Sequence, residues 1–419
     1  MGQRIIYHID VNSAFLSWTA AYQVRVLGQT FDLRTVPSVI AGDKAARHSI
    51  ILAKSIPAKA FGIQTGEPLF QALKKCPNLV IENPDYALYV EASKRMIALL
   101  AEVAPVVEQY SIDEAWVDMT GTEAIYGSPV HMAETIKNRI RDELGFTVNI
   151  GVSSNKLLAK MAGGFKPHDA VHTLFPREIE AKLWPLPTRE LFYVGPATES
   201  KLKMLGIETI GDIARTSPAL LRSHLHKHGD VIWNHANGYT NDEVSSDSAL
   251  NKGYGNSTTT PFDVTDTITA HRVLLSLCET IGMRMRQDRQ TGGCISVSLR
   301  SNQFVEFSHQ AQMKAMTNVT TEIYDAACQV FDKAWDKKTA IRQMGVAVGK
   351  ASPNAFRQDC FLEKQPFERL HKLDTAVDAI RQKYGENSLL RACFIGDRFT
   401  HMGGGHSPGT RTGLTKPLQ

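Results

Sequence analysis

The chain has 419 residues, of which 43% are hydrophobic and 21% charged, and its formal net charge is only +4. These values predict a globular protein of two to four domains, and they exclude a uniformly basic coat for nucleic acid and a membrane-spanning protein. The six cysteines have no Cys-x-x-Cys spacing, which argues against a structural zinc site and a disulfide framework, so we expect a soluble, cytoplasmic monomer.

The predicted elements of the N-terminal half mix strands with helices, as in an α+β protein. Residues 4–10 predict a short buried strand that ends in Asp10, and the next residues predict an apolar helix. Pro105 marks the end of a later helix. The elements predicted after the first strand are helix 12–26, β runs 36–41 and 49–53, helix 85–104, strand 106–119, helix 129–144, strand 146–151 and helix 154–163.

The C-terminal half begins with mainly helical residues, 188–240, and a polar linker. A β-α-β-β-α-β pattern follows, and then a helix that ends at Gly385. The polar, Gly/Pro-rich tail at 403–419 is expected to be disordered. The predicted elements are strands 252–259, 293–300, 304–309 and 341–348, and helices 268–287, 317–334 and 366–384.

Two adjacent carboxylates, Asp113 and Glu114, lie within the apolar run 110–118. Neighbouring residues of a strand point to opposite faces unless a turn or bulge intervenes. Burying two carboxylates is unfavourable, and a divalent cation such as Mg²⁺ relieves their repulsion. With Asp10 from a distant strand, they form a candidate two-metal phosphoryl-transfer site. Asp10 alone could equally cap a turn or helix, and Asp118 is read as a strand-end residue.

Five segments carry a resemblance to a known family. Together they resemble the Y-family, or translesion, DNA polymerases, and they are most similar to the bacterial DinB/UmuC-like proteins. The resemblance covers about residues 1–390. The segments are Asp10 to Phe15, Phe61 to Gly66, Ser111 to Ala115, Gly151 to Ala162, and Lys166 with Pro167.

The resemblance implies an α+β multidomain fold, the right hand of a polymerase with a βαββαβ little finger. The thumb would contain a helix-hairpin-helix at about 192–213. The implied domains are palm 1–25 and 76–172, fingers 26–75, thumb 173–240, linker 241–251, little finger 252–352, C-terminal extension 353–402 and tail 403–419.

The resemblance also implies the metal site. Asp10, Asp113 and Glu114 would act as catalytic residues and bind two Mg²⁺ ions, together with the backbone carbonyl of Val11. Phe15 occupies the position of the steric gate, which excludes the 2′-hydroxyl of a ribonucleotide. Without the resemblance, Phe15 reads as a core residue of helix 12–26.

Several lysines are expected to contact phosphate. Lys166 matches the triphosphate lysine of the family. Lys156 and Lys160 lie one helical turn apart and could contact phosphate or the primer backbone, or simply line a solvated helix face.

The fingers depart from the family pattern. A Tyr and an Arg usually contact the outer phosphates, and here Ile56 and Lys59 stand in their places. Lys59 supplies a point charge without the fork of Arg, which puts nucleotide affinity in question. Ile50 and Leu52 align with small residues above the nascent base pair, where larger side chains could narrow the range of tolerated lesions.

DNA contacts are expected from two further regions. The hairpin at Gly195 and Ala197 would offer backbone N–H groups to a phosphate, although an ordinary αα-hairpin also fits. Basic residues of the little finger could face the DNA backbone or only solvent; they are Arg284, Arg286, Arg300 and Arg342.

Two protein partners are left open by the resemblance, a sliding clamp and an activating SOS partner. Gln358, Phe361 and Leu362 loosely resemble a clamp-binding peptide, and a chance match fits equally.

The sequence thus favours a template-directed, error-prone DNA polymerase that uses primer–template DNA and dNTPs. A catalytically weak accessory protein that binds damaged DNA is the alternative, supported by Ile56 and Lys59. Clustered buried carboxylates disfavour it, because a scaffold has no use for them. A nucleotide cyclase with the same palm is disfavoured by the hairpin and by the basic C-terminal domain.

Overall fold

The computed structural model describes residues 4–42, 49–246, 251–353 and 367–395, which fall into two units. Of these residues, those up to 246 form the first unit and those from 251 form the second. Each unit has its own apolar core. No helix within these ranges is long and apolar enough to cross a membrane.

The first unit contains eight strands and eleven α-helices among its described residues. They are, in chain order, β1 (Ile6–Val11), α1 (Ala14–Arg25), β2 (Ser38–Ala41), β3 (Ile51–Lys54), α2 (Ile56–Ala60), α3 (Leu69–Lys75), β4 (Val80–Glu82), α4 (Tyr86–Val103), β5 (Val106–Gln109), β6 (Glu114–Asp118), α5 (Glu123–Tyr126), α6 (Pro129–Arg139), β7 (Val148–Ser153), α7 (Lys156–Gly163), β8 (Val171–Thr173), α8 (Pro196–Met204), α9 (Ile210–Arg215), α10 (Pro218–Leu225) and α11 (Lys227–Ala236).

A five-stranded sheet in the order β5-β6-β1-β7-β8 is the centre of this unit. The odd-numbered residues of β1, such as Tyr7 and Ile9, pack in one core with residues of α4 and α6. Successive side chains of a strand alternate between faces. Ile6, His8 and Asp10 therefore face the other side of the sheet, where α7 contacts β1 and β7.

The acidic segment is a β-hairpin, so the prediction of one strand over 106–119 was wrong. Strands β5 and β6 pair antiparallel. Between them, the N–H groups of Tyr110 and Ser111 both donate to the Glu114 carbonyl, at 3.0 and 3.2 Å. The turn places Asp113 in a bend and leaves Glu114 as the first residue of β6. Periodicity missed it because both arms are β-prone and the turn contains neither Gly nor Pro.

Two smaller cores complete the first unit. Strands β3-β2-β4 form a three-stranded sheet whose apolar residues pack with α2 and α3. Helices α8 to α11 pack on a third core that includes Leu158 and Leu202. Helix α9 begins at a capping box, in which Thr209 and Asp212 each accept a backbone hydrogen bond from the other.

The second unit confirms the predicted β-α-β-β-α-β order. Its sheet has the strand order β11-β10-β12-β9, with all neighbours antiparallel. The helices pack on one face of this sheet. The elements are β9 (Gly253–Val264), α12 (Thr267–Gln287), β10 (Gly292–Ser301), β11 (Glu306–Thr317), α13 (Thr320–Ala334), β12 (Ile341–Gly349) and α14 (Phe367–Tyr384).

Strand β11 extends well beyond the predicted strand 304–309, and α13 begins at Thr320 rather than at residue 317. Strand β11 lies at the edge of the sheet, and most of its side chains are exposed. Phe307 and Met313 pack on the core from this strand, but exposed polar residues fill most of the positions between them, so the apolar pattern is too sparse to mark its full length.

Buried ion pairs hold helix α14 against α12 within the second unit. Arg286 of α12, whose side chain is 7% exposed, binds Asp374 and Asp378 at 3.2 and 2.6 Å. Arg381 of α14 binds Glu279 of α12 at 3.2 Å, and both side chains are 4% exposed.

Candidate active site

Asp10 and Glu114 are cross-strand partners at one end of the paired strands β1 and β6, in the five-stranded sheet. Directly opposite residues of an antiparallel pair point to the same face with their Cβ atoms about 5 Å apart. Asp113 joins them because the Val11 N–H donates to the Asp113 carbonyl at 3.1 Å. The Ser111 hydroxyl donates to Asp113 Oδ1 at 2.6 Å. The fold therefore brings together the three carboxylates that the sequence singled out.

Burial, and to a smaller extent mutual repulsion, raises the pKa values of the two aspartates. Burial, and then the charges of Glu114 and Asp113, raise the pKa of Asp10 from 3.8 to about 7. Burial also raises the pKa of Asp113, although the hydrogen bond from Ser111 opposes this. At neutral pH, the negative charge of these carboxylates therefore exceeds the positive charge of the side chains around them.

Glu114 has positive neighbours instead. Its burial favours the neutral acid, but hydrogen bonds from His8 and Lys160 and the charge of Lys160 bring its pKa to about 2. His8 Nε2 lies 3.3 Å from Glu114 Oε2, and His8 is 2% exposed. The Lys160 ammonium contacts the same carboxylate oxygen.

Gly151 allows α7 to lie close enough for this contact. A Cβ atom at Gly151 would lie 1.9 Å from the Ala159 carbonyl oxygen and 2.4 Å from the Gly163 nitrogen. Asn155 caps the helix by accepting a hydrogen bond from the Leu158 N–H at 2.8 Å. Gly151 therefore determines how closely α7, and with it Lys160, packs on the sheet.

The donor set fits a hard divalent cation, which prefers carboxylate oxygens. The three carboxylates lie at the adjoining ends of β1 and β6 and lack a full complement of positive charge. Within the described residues, no three acidic, histidine or cysteine side chains already converge as metal ligands. In the observed arrangement, the Glu114 carboxylate is bound by Lys160 and His8 instead.

A cavity of about 790 Å³ opens beside these residues. Its lining includes Asp10 and Glu114 from the sheet, Lys160 from α7 and Lys166 from the loop that follows α7. Phe192 also lines the cavity, and its ring centroid is 5.3 Å from Lys160 Nζ. The cavity brings two of the predicted lysines to the carboxylates.

Lys156, the other predicted lysine of α7, is engaged in an ion pair. Its ammonium lies 2.7 Å from Glu108 Oε1 and 4.5 Å from the ring centroid of Trp116. The side chain is 13% exposed. Phosphate contacts by Lys156 stay a prediction, and they would have to compete with Glu108.

Phe15 is half-buried on α1 and stacks on Tyr89 of α4. The ring centroids are 4.5 Å apart and the planes differ by 8°. The ring is therefore held rigidly, which both a steric gate and a core residue require. Its role stays a prediction.

The predicted nucleotide contacts of the fingers differ in exposure. Lys59 is exposed on α2, and Ile56 at the start of that helix is 72% exposed. Ile50 is 42% exposed. Leu52 is half-buried against a small cluster with Leu16.

The hairpin residues lie at a helix N-terminus, as expected. Gly195 is the N-cap of α8, and Ala197 is an exposed residue of the first turn. The same turn carries Glu199, which pairs with Arg189 and Lys203 at 3.3 and 2.8 Å.

The four arginines that were predicted to face DNA have different surroundings. The guanidinium of Arg286 is committed to α14, so we do not carry it forward as a DNA contact. Arg284 donates to the Gly255 carbonyl at 3.1 Å. Arg300 pairs with Glu306, and Arg342 lies 5.1 Å from the ring centroid of Phe304. Gln358, Phe361 and Leu362, like the tail at 403–419, lie outside the described residues.

Sequence reasoning missed three residues of the site. His8 lies two positions before Asp10, and therefore on the same face of β1. Asn149 is a buried polar residue within the apolar strand β7. His168 follows Lys166 and has a lowered pKa, mainly through burial and then through the charges of Lys59, Lys166 and His172. A polar residue in an apolar strand was the available signal for Asn149.

Known proteins resemble the chain over both units. A profile of the impB/mucB/samB family matches residues 9–164, and a profile of the C-terminal domain of that family matches residues 251–359. A protein of Clostridium acetobutylicum named DNA polymerase IV is 41% identical over 392 residues, covering 94% of this chain and 98% of that protein. DNA polymerase IV of Alkaliphilus oremlandii is 35% identical over 401 residues, covering 93% and 99%.

A solved structure shows the same fold. It is described as the Y-family DNA polymerase chimera Dbh-Dpo4(243-245)-Dbh, and it matches with a TM-score of 0.70 at 21% identity. The match covers 84% of this chain and 100% of that chain.

Proposed function

Because this chain belongs to the impB/mucB/samB family of Y-family DNA polymerases, we propose that it is a bacterial DinB-like DNA polymerase that extends primers past damaged template bases. The relatives support this enzyme and not the accessory-protein alternative. The observation that carries the proposal is the placement of Asp10 opposite Glu114, with Asp113 bound to the backbone of Val11.

The carboxylates of Asp10, Asp113 and Glu114 would hold two Mg²⁺ ions, with the Val11 carbonyl as a further oxygen ligand. When bound, such ions activate the primer 3′-hydroxyl and stabilise the negative charge of the leaving pyrophosphate. His8 and Lys160 keep the pKa of Glu114 low, so its carboxylate is ionised at neutral pH, and a cation would compete with Lys160 for it. A bound cation would reduce the repulsion between the carboxylates of Asp10 and Asp113.

The nucleotide would lie in the cavity beside these carboxylates. Lys166 lines this cavity and would contact the triphosphate, assisted by Lys59 from α2. Phe15, which is held in place by stacking on Tyr89, would lie against the sugar of the incoming nucleotide. Ile50 and Leu52 would lie over the nascent base pair and restrict which damaged bases fit.

The remaining contacts would hold primer–template DNA. Lys160 and Lys156 would approach the primer backbone if they exchange their carboxylate partners for phosphate. The N-terminus of α8 at Gly195 and Ala197 would bind a backbone phosphate without reading sequence. Arg284, Arg300 and Arg342 would contribute long-range attraction to DNA.

Primer extension tests the proposal directly. We expect the wild-type chain to extend a primer with Mg²⁺ and dNTPs, on an undamaged template and on one with an abasic site. Asp113→Ala should lower the rate by about a thousandfold or more, since it removes a carboxylate that faces the reacting groups. Asp118→Ala is the matched control, because Asp118 only accepts a hydrogen bond from the Thr120 N–H at the strand end.

Extension by wild type and Asp118→Ala, with loss in Asp113→Ala, supports the proposal. Absence of extension by the wild type, under conditions in which it binds primer–template DNA, contradicts it for the chain acting alone.

A further inference from the structure

One buried side chain ties the loop at 164–170 to the central sheet. Asn149 of β7 is 1% exposed. Its Nδ2 donates to the carbonyls of Gly163 and Phe165, at 3.0 and 3.4 Å, and its Oδ1 accepts from the Asp169 N–H at 2.8 Å. The amide thus binds the start and the end of the loop at once.

The position of Asn149 links this loop to the carboxylates. Asn149 is the cross-strand partner of Asp10, so it lies one strand away on the same face of the sheet. Lys166, in the middle of the loop, lines the same cavity as Asp10 and Glu114. The distance between the Lys166 ammonium and the carboxylates therefore depends on the Asn149 contacts.

The loop also carries a second basic group. His168 Nδ1 lies 3.5 Å from Asn149 Nδ2. Burial lowers the pKa of His168, and the charges of Lys59, Lys166 and His172 lower it further. Lys59 comes from α2, so two segments of the first unit bring positive charge to this place.

We propose that Asn149 is a positioning residue that holds Lys166 and His168 beside Lys59, so that the three form a binding cluster for the triphosphate of the incoming nucleotide. This inference rests on the proposed function and deepens it. It also offers a replacement for the Arg that the fingers lack, because the ammonium groups of Lys166 and Lys59 and an imidazole N–H of His168 can together donate the hydrogen bonds that a guanidinium fork would donate. An apolar residue at position 149 would leave the Gly163 carbonyl and the Asp169 N–H without this partner.

Asn149→Ala is the variant to measure, and Ser153→Ala is its matched control. Ser153 is 0% exposed on the same strand, and its hydroxyl donates to the Leu174 carbonyl at 2.5 Å, beyond the loop. Both variants remove hydrogen bonds that a buried side chain of β7 makes, three for Asn149 and one for Ser153, but only Asn149→Ala releases the loop. Asn149→Thr, which replaces the amide by a hydroxyl and suits a strand, serves if the alanine variant does not fold.

Two equilibrium readouts separate this inference from the activity. One is the Kd for dNTP on a complex with dideoxy-terminated primer–template DNA, and the other is the Kd for inorganic tripolyphosphate. We expect Asn149→Ala to raise both by about tenfold, and Ser153→Ala to change them by less than about twofold. The Kd for primer–template DNA should stay unchanged, and steady-state kinetics should show a raised KM with a smaller change in kcat.

A double-mutant cycle tests whether Asn149 acts through the lysine. In a Lys166→Ala background, the further change Asn149→Ala should raise the dNTP Kd by less than about twofold, because the group that it positions is gone. Equal effects of Asn149→Ala in both backgrounds, or equal effects of Asn149→Ala and Ser153→Ala, would overturn the inference. Failure of the proposed function appears differently, as absent primer extension by the wild type with the tripolyphosphate Kd still measurable.

Discussion

The Lys160 ammonium contacts the Glu114 carboxylate across the space between α7 and the start of β6. The same ammonium lies 5.0 and 5.3 Å from the ring centroids of Tyr110 and Phe192. Lys160 is therefore an internal counter-ion for a residue that we expect to bind metal. A divalent cation must compete with it.

We first predict that Lys160→Met tightens the binding of Mn²⁺ to the metal-site carboxylates. Removing a unit positive charge a few ångströms from the site should lower the Mn²⁺ Kd by about tenfold. Titration followed by electron paramagnetic resonance measures this Kd. Lys156→Met removes an equivalent charge that pairs with Glu108 instead, and it should leave the Kd within about twofold. Weaker binding by Lys160→Met would show that Lys160 supports the metal site.

The second prediction concerns the stability of the metal-free protein. The pKa of Asp10 is raised from 3.8 to about 7, so the folded state favours the protonated acid. The stability that this provides is complete below pH 4 and is lost as the pH rises through 7. Asp10→Asn should therefore raise the melting temperature at pH 8 in EDTA, by about 2–4 °C.

The same variant should melt only slightly above the wild type at pH 5, where Asp10 is already protonated. Asp118→Asn is the control and should show the pH dependence of the wild type. An Asp10→Asn protein that melts below the wild type at pH 8 would mean that the ionised carboxylate is stabilised after all.

Third, Gly151→Ala should destabilise the first unit by about 3 kcal/mol or more, because the new methyl group meets backbone atoms that cannot move aside. Its Cβ would lie 1.9 Å from the Ala159 carbonyl oxygen. Gly164→Ala is the matched control, since its nearest neighbour would be 3.5 Å away. Chemical denaturation measures both. Equal stability of the two variants would mean that α7 can shift freely on the sheet.

Fourth, Arg286→Ala should destabilise the second unit by about 3–5 kcal/mol, the usual effect of removing one partner from a buried ion pair. Asp374 and Asp378 would be left without their guanidinium. Arg289→Ala changes an exposed arginine two positions beyond the C-terminal end of α12, and it should alter stability by less than about 0.5 kcal/mol. Thermal unfolding of the full chain, followed by tryptophan fluorescence, compares them. Similar melting of both variants would show that α14 does not depend on Arg286.

Fifth, Phe15→Ala should lower the preference for deoxyribonucleotides over ribonucleotides by about a hundredfold, because the 2′-hydroxyl no longer meets a rigid ring. The ratio of kcat/KM for dCTP and CTP opposite template dG measures this preference. Phe15→Tyr keeps the ring and should stay close to the wild type. If the preference survives in Phe15→Ala, Phe15 is only a core residue packed on Tyr89.

Local patterns were enough to predict most elements. A short apolar run identified β1, and Pro105 marked the end of α4. The β-α-β-β-α-β order of the second unit followed from the same signals, because each strand or helix buries one regular face. The identity of the three carboxylates was equally visible, since acids within apolar strands are costly unless something compensates them.

Contacts between distant residues had no such local signal. The turn at 110–113 was missed because hydrogen bonds to Glu114, rather than turn residues, define it. Arg286 looked like a surface cation until α14, about ninety residues later, was seen to bury it. Edge strand β11 was underestimated because an exposed strand needs no apolar periodicity.

The sequence by itself determined which chemistry this protein carries, because the types and spacing of its carboxylates, lysines and aromatic residues are local facts. Tertiary structure alone decided which of these groups meet. Lys160 contacts Glu114, 46 positions away, and Asn149 binds the loop that carries Lys166. These pairings depend on how closely α7 packs on the sheet, a property that arises only when the strands assemble.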